Sequence, residues 1–127
     1  MPKHRILMVD DDRDLLLAMR VRLEASGYEV VGTSDVIGTM AAVENQPPPD
    51  LILLDIGLGI GNGIMLLDYF RTMDALKRIP VIILTALPMP FLRDEARKRG
   101  IAAFFQKPAD NAELLVAIRQ ALGENDG

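Results

Sequence analysis

The chain has 127 residues, half of them hydrophobic and a quarter charged, with a net charge of −4; this is a globular composition at a length that suits one domain with a real core. Mild acidity gives no global attraction for DNA or an anionic membrane surface, so neither is expected as a direct partner. There is no cysteine, which excludes disulfides, thiolate metal sites and cysteine nucleophiles.

The start, Met1-Pro2-Lys3-His4-Arg5, is basic, but the apolar run after it (Ile6 to Val9) is far too short for a signal peptide. No stretch approaches about 20 apolar residues, the length of a membrane-spanning helix, and the expected compartment is the cytoplasm. Ile6 to Val9 ends in acid and suits a buried parallel strand. Residues 12 to 26 read as a helix through Leu15, Leu16, Met19 and Leu23, with Gly27 where a left-handed C-cap belongs. Tyr28 to Val31 reads as a second strand, and residues 35 to 45 as a weaker helix stopped by Pro47-Pro48-Pro49. Leu51 to Leu54 is a third strand, apolar throughout. A glycine-rich loop, Gly57 to Gly63, leads into a helix through Thr72. Val81 to Leu84 is the fourth strand, residues 91 to 99 a helix ended by Gly100, and Ala103 to Phe105 a short fifth strand. Asp110 and Glu113 have capping-box spacing for a last helix, 111 to 122, stopped by Gly123. Strands alternating with helices predict an α/β fold with a parallel sheet covered on both faces. Residues 1–123 form the expected domain, and the polar tail 124–127 is expected to fray.

Five polar residues follow the strands: Asp10 and Asp11, Asp55, Thr85 and Lys107. In an open α/β sheet ligands bind at the carboxyl ends of the strands. Three carboxylates gathered there repel one another unless a cation intervenes. A hard divalent ion with oxygen ligands, such as Mg²⁺, resolves that conflict. Asp12 is better placed to cap the first helix, and Lys107 could instead simply neutralise the acids. Glycines 57, 59, 61 and 63 fit neither common nucleotide-binding pattern, so the loop reads as turn-forming. His4 is assigned a surface position and no role, and the methionines are core filler.

Four segments, Ile6-Leu7-Met8-Val9-Asp10-Asp11-Asp12, Asp50-Leu51-Ile52-Leu53-Leu54-Asp55-Ile56, Pro80-Val81-Ile82-Ile83-Leu84-Thr85-Ala86 and Lys107-Pro108, in this order and spacing, resemble the CheY-like receiver domain of bacterial two-component response regulators. The resemblance covers essentially the whole chain. It implies a flavodoxin-like, doubly wound five-stranded parallel sheet of order 2-1-3-4-5. It implies a signalling domain rather than an enzyme. Asp55 would accept a phosphoryl group from a phosphohistidine on a sensor histidine kinase or histidine phosphotransfer protein. Asp10, Asp11, Asp55 and the backbone carbonyl of Gly57 would hold Mg²⁺. Lys107 would pair with a phosphoryl oxygen, Thr85 would hydrogen-bond another, and Phe104 falls at the aromatic switch position. The Lys107–Pro108 bond is often cis in the family. Leu15, Ala18 and Pro108 are candidate contacts with the phosphodonor, and the signal would pass to a downstream output domain or protein. A homodimer through the last helix, strand and loop is also compatible with the family. The rival expectation is a receiver-like adaptor that binds partners without phosphorylation.

Departures from the family pattern fall around the site. Gly59 stands where a proline is usual, and Asn62-Gly63 replaces a common Asp-Gly. Pro88 and Pro90 restrict the segment after Thr85-Ala86, and Ile101 replaces a common alanine. Gly57 and Leu87, two residues past Asp55 and Thr85, offer no polar side chain to orient water, which predicts slow self-dephosphorylation.

Overall fold

A computed structural model describes residues 3–58, 62–86 and 90–124. Its elements run β1 (Arg5–Val9), α1 (Arg13–Ala25), β2 (Glu29–Thr33), α2 (Val36–Asn45), β3 (Leu51–Leu54), α3 (Asn62–Thr72), β4 (Val81–Thr85), α4 (Pro90–Lys98), β5 (Ala103–Gln106) and α5 (Asn111–Ala121). All strand pairs are parallel, in the order β2-β1-β3-β4-β5.

Alternation along each strand divides the core into two layers. Leu7, Val9, Ile52, Leu54, Val81 and Ile83 pack with Leu66, Leu67 and Phe70 of α3 and Ala96 of α4. On the other face Ile6, Met8, Leu51, Leu53, Ile82 and Leu84 pack with Met19 and Leu23 of α1 and Leu114 and Ile118 of α5. β3 is buried at every position, which is why its sequence is apolar without alternation.

The helix starts are set by aspartates. Asp12, Asp35 and Asp110 accept hydrogen bonds from the amides of Leu15, Gly38 and Glu113 at 3.1, 2.6 and 3.0 Å. Each such cap contributes about 1 kcal/mol. Gly27, at φ +96°, makes the left-handed exit from α1 that a side chain would resist.

Several expectations change. Gly63 is not the end of a loop but the second residue of α3. β2 extends two residues beyond Val31, through Gly32 and Thr33, because Thr33 still pairs with Val9. Glu124, in the polar tail, accepts a hydrogen bond from the Tyr28 hydroxyl at 3.0 Å and pairs with His4 Nδ1 at 2.6 Å. This clasp joins both ends of the described chain to the α1–β2 turn, at the opposite end of the sheet from Asp55. Residues 125–127 of the tail, and Gly59, Gly61, Leu87, Pro88 and Met89, lie outside the described residues. Pro90 is the first residue of α4, where its fixed φ and missing N–H cost nothing.

Candidate functional site

The strand order creates the site. The chain steps from β1 to β2 on one side and then to β3 on the other, so the loops after β1 and β3 diverge and leave a crevice between them. The Asp55 amide donates to Val9 O at 3.0 Å and the Asp10 amide to Thr33 O at 3.0 Å, carrying sheet pairing right up to both acids. Asp10 and Asp55 are buried, at 1% and 6% exposure, and Asp11 faces solvent. One carboxylate oxygen from each of the three lies within 4.8 Å of the others.

Lys107 enters from the end of β5. Its Nζ donates to Asp10 Oδ2 at 2.6 Å and to Asp55 Oδ2 at 3.3 Å. Its amide donates to Thr85 O at 2.7 Å, which fixes the lysine's backbone to the end of β4. The Lys107–Pro108 bond is cis, as the resemblance implied. The other carboxylate oxygens are held locally: Asp10 Oδ1 accepts from the Asp12 amide at 2.9 Å, and Asp55 Oδ1 from the Gly57 amide at 2.8 Å.

Burial pushes the Asp10 carboxyl above its usual range, outweighing the hydrogen bond and charge of Lys107 that pull it down. Burial likewise acts to lower the Lys107 ammonium, but the bond to Asp10 and the charges of Asp10 and Asp55 outweigh it and hold its proton more firmly. The cluster thus has more negative charge than one ammonium can balance. All-oxygen donors at this spacing fit a hard divalent cation.

Thr85 is fully buried at the end of β4. Phe104 of β5 lies opposite Ile83 and is half-buried; the Arg93 guanidinium of α4 sits 5.3 Å from its ring centroid, a cation–π distance. Leu15, Ala18 and Pro108 come together on a different surface. With Met19, Leu84 and Lys107 they line a groove of about 410 Å³ between α1 and the β5–α5 turn. Lys107 therefore links this groove to the acid cluster. The Arg93–Phe104 contact and the His4–Glu124–Tyr28 clasp had no signal in the sequence, since each joins side chains of unrelated segments.

Residues 6–119 match the family model of the response regulator receiver domain. The chain is 32% identical over 124 residues to the polar-differentiation response regulator DivK of Brucella anthropi, spanning 98% of this chain and 99% of that protein. It superposes with a TM-score of 0.88 on a CheY-like receiver domain protein from Methanospirillum hungatei, at 29% identity over 96% of this chain and 95% of that one. The receiver domain of the sensor histidine kinase PA1611 from Pseudomonas aeruginosa, solved with a magnesium ion coordinated in its active site cleft, matches at TM-score 0.84 and 27% identity over 97% of this chain and 100% of that one. On the sheet order, the acid cluster and these likenesses together, the chain belongs to the response regulator receiver domain family.

Proposed function

We propose that Asp55 is the phosphoacceptor of a two-component or phosphorelay protein. The observation that carries this reading is the bridge of Lys107 between Asp10 and Asp55, at 2.6 and 3.3 Å, inside a group of three acids. Asp55 Oδ2, the oxygen nearest Lys107, attacks the phosphorus of a phosphohistidine. A new O–P bond forms as the P–N bond breaks, and the imidazole leaves with the electron pair. Lys107 would transfer its contact from the Asp55 carboxylate to a phosphoryl oxygen. Thr85, buried at the adjacent strand end, would donate a hydrogen bond from its hydroxyl to another.

Asp10, Asp11 and Asp55, with the Gly57 carbonyl, would hold Mg²⁺, whose charge would offset repulsion between the anionic nucleophile and the anionic phosphoryl group. The groove lined by Leu15, Ala18 and Pro108 supports docking of the donor beside Lys107. The signal would then pass through Thr85 and Phe104 to an output domain or protein, in the cytoplasm. The chain would catalyse nothing beyond its own phosphorylation and dephosphorylation.

Incubation with Mg²⁺ and acetyl phosphate, or with a phosphorylated kinase, followed by intact mass measurement tests the reading. A phosphate adduct on the wild type that is lost in Asp55→Asn is expected. No adduct with either donor would overturn it in favour of an adaptor that binds without phosphorylation.

A further inference from the structure

β2 is an edge strand, and its outer side makes few hydrogen bonds with the described residues. The Glu29 amide donates to His4 O and the Asp10 amide to Thr33 O, so the odd-numbered residues of β2 turn their backbone groups towards β1. Val30 and Gly32 therefore point theirs outward. Val30 O is capped by the Arg20 guanidinium at 2.7 Å; no hydrogen bond reaches the Val30 amide or either backbone group of Gly32 from the described residues. Exposed edges of this kind are templates for another strand; β2 has no proline or lysine in Glu29–Thr33, and Glu29 and the Arg20 cap are its guards.

The wall beside this edge is the outer face of α1. Arg13, Leu16, Leu17 and Arg20 line a groove of about 200 Å³ with Val30 and Gly32. Leu17 and Val21 are 65% and 64% exposed, one turn apart. Arg13 and Glu24 lie at opposite ends of the same face, with opposite charge. Arg20 sits level with Val30, and Leu16 lies 3.6 Å from where a Gly32 Cβ would stand. A two-fold axis normal to the sheet, just outside β2 at the level of Val31, would therefore pass α1 at the level between Leu17 and Arg20. About that axis Val30 faces Gly32 of a second copy, and each pair exchanges both N–H···O=C bonds of an antiparallel ladder. The same axis sets Arg13 of one copy opposite Glu24 of the other, and Leu17 against the stem of Arg20. The strand edge and the helix face thus share one symmetry operation, the self-complementary condition of an isologous interface.

We propose that the β2 edge and the outer face of α1 pair with a second copy of this chain, joining two sheets into one continuous ten-stranded sheet. Arg20 is the gate. It leaves Val30 O, which it now caps at 2.7 Å, to the Gly32 amide of the second copy. This face is separate from the acid cluster, the donor groove and the last helix, strand and loop, so the proposal stands independently of phosphorylation at Asp55.

Gly32→Pro is the deciding variant. Proline is tolerated where an edge N–H faces solvent, and a Cβ at Gly32 would make only ordinary contact with Leu16. Sedimentation equilibrium over a wide concentration range should show a concentration-dependent dimer for the wild type and a monomer for Gly32→Pro, with circular dichroism showing both folded. Arg13→Glu should weaken the dimer several-fold, and Arg13→Glu/Glu24→Arg should restore it. A wild type that stays monomeric throughout leaves the edge to a strand of some other protein and overturns the proposal. A dimer indifferent to Gly32→Pro overturns it equally.

Discussion

Gly63 stands so close to Ile56 that a Cβ on it would lie 2.2 Å from the Ile56 Cα and 2.8 Å from the Asp55 carbonyl oxygen. The first turn of α3 thus rests directly on the backbone that presents Asp55. Backbone cannot step aside as a flexible side chain would. Gly63→Ala is expected to destabilise the protein by about 1–3 kcal/mol or more, the range for forced overpacking. It should also slow phosphorylation by displacing the Asp55–Ile56 segment. Urea unfolding and the rate of adduct formation read the two effects separately; an unchanged midpoint would show that α3 can shift without cost.

Lys107 lies closer to Asp10 than to Asp55, so its charge is shared before any phosphoryl group arrives. Lys107→Met would leave two buried carboxylates without their cation and raise the proton affinity of Asp10 further. Adduct formation with acetyl phosphate is expected to fall about a hundredfold, typical of losing one preorganised partner for transition-state charge. Lys107→Arg should rescue little, because a planar fork cannot occupy the place of a compact ammonium. Rates within a few-fold of wild type for either variant would remove the lysine from the phosphoryl-transfer machinery.

Tyr28 is buried, and its hydroxyl donates to Glu124 Oε1 at 3.0 Å. Burial, reinforced by the bond and charge of Glu124, pushes the phenol up to about 12. The unfolded phenol ionises near pH 10. The folded state therefore holds its proton more tightly, and this contribution to stability is complete below pH 10 and is lost as pH rises towards 12. Tyr28→Phe is expected to cost about 1.5–3 kcal/mol at neutral pH, the range for a hydrogen bond to a charged group, and to flatten the alkaline loss of stability. Tyrosinate absorbance should show the late-titrating phenol disappear in that variant and shift down in Glu124→Gln.

Arg71, at the end of α3, donates to four backbone carbonyls: Ile79 at 2.9 Å, Gly100 at 3.2 Å, Lys77 at 3.3 Å and Arg99 at 3.4 Å. Its guanidinium ties the approach to β4 to the turn that follows α4. Burial lowers its pKa, yet an arginine remains charged at any ordinary pH. Arg71→Met should destabilise by about 1.5–3 kcal/mol, with Arg71→Lys recovering only part because a point charge cannot span both turns. Faster amide exchange confined to residues 77–79 and 99–102 would locate the effect; uniform change along the chain would contradict it.

The alternation of strands and helices was legible because each strand is a compact apolar run and each of three helices opens on a capping aspartate. The acid cluster was legible because Asp10, Asp55 and Lys107 directly follow their strands and Thr85 is the last residue of β4. Other features depend on where distant segments meet. Gly63 looked like one more loop glycine, since nothing local separates a glycine needed for a turn from one needed for close packing. The full length of β2 was hidden because Gly32 and Thr33 carry no apolar pattern; the strand continues there through pairing with β1. His4, Tyr28 and Glu124 are far apart in sequence, and no periodicity relates them. The partner of Lys107 followed from charge alone, but its preference for Asp10 depends on how the ends of β1, β3 and β5 meet.

The Gly57 amide donates to Asp55 Oδ1 at 2.8 Å, so residue 57 lies directly against the proposed phosphoacceptor. As glycine it brings no polar side chain to orient water beside Asp55. Leu87, outside the described residues, likewise brings no polar group two positions past Thr85. Hydrolysis then depends on unassisted water attacking phosphorus, with phosphate leaving and the Asp55 carboxylate restored. The phosphorylated state is expected to be long-lived. Gly57→Asn combined with Leu87→Glu should accelerate phosphate loss by up to about a hundredfold, the lower end of what a positioned proton-handling group contributes. Decay of the phosphorylated mass after removal of the donor measures this, with Gly57→Asn alone separating the two positions. Decay no faster than wild type in the double variant would show that the lack of a polar group to orient water is not what limits dephosphorylation.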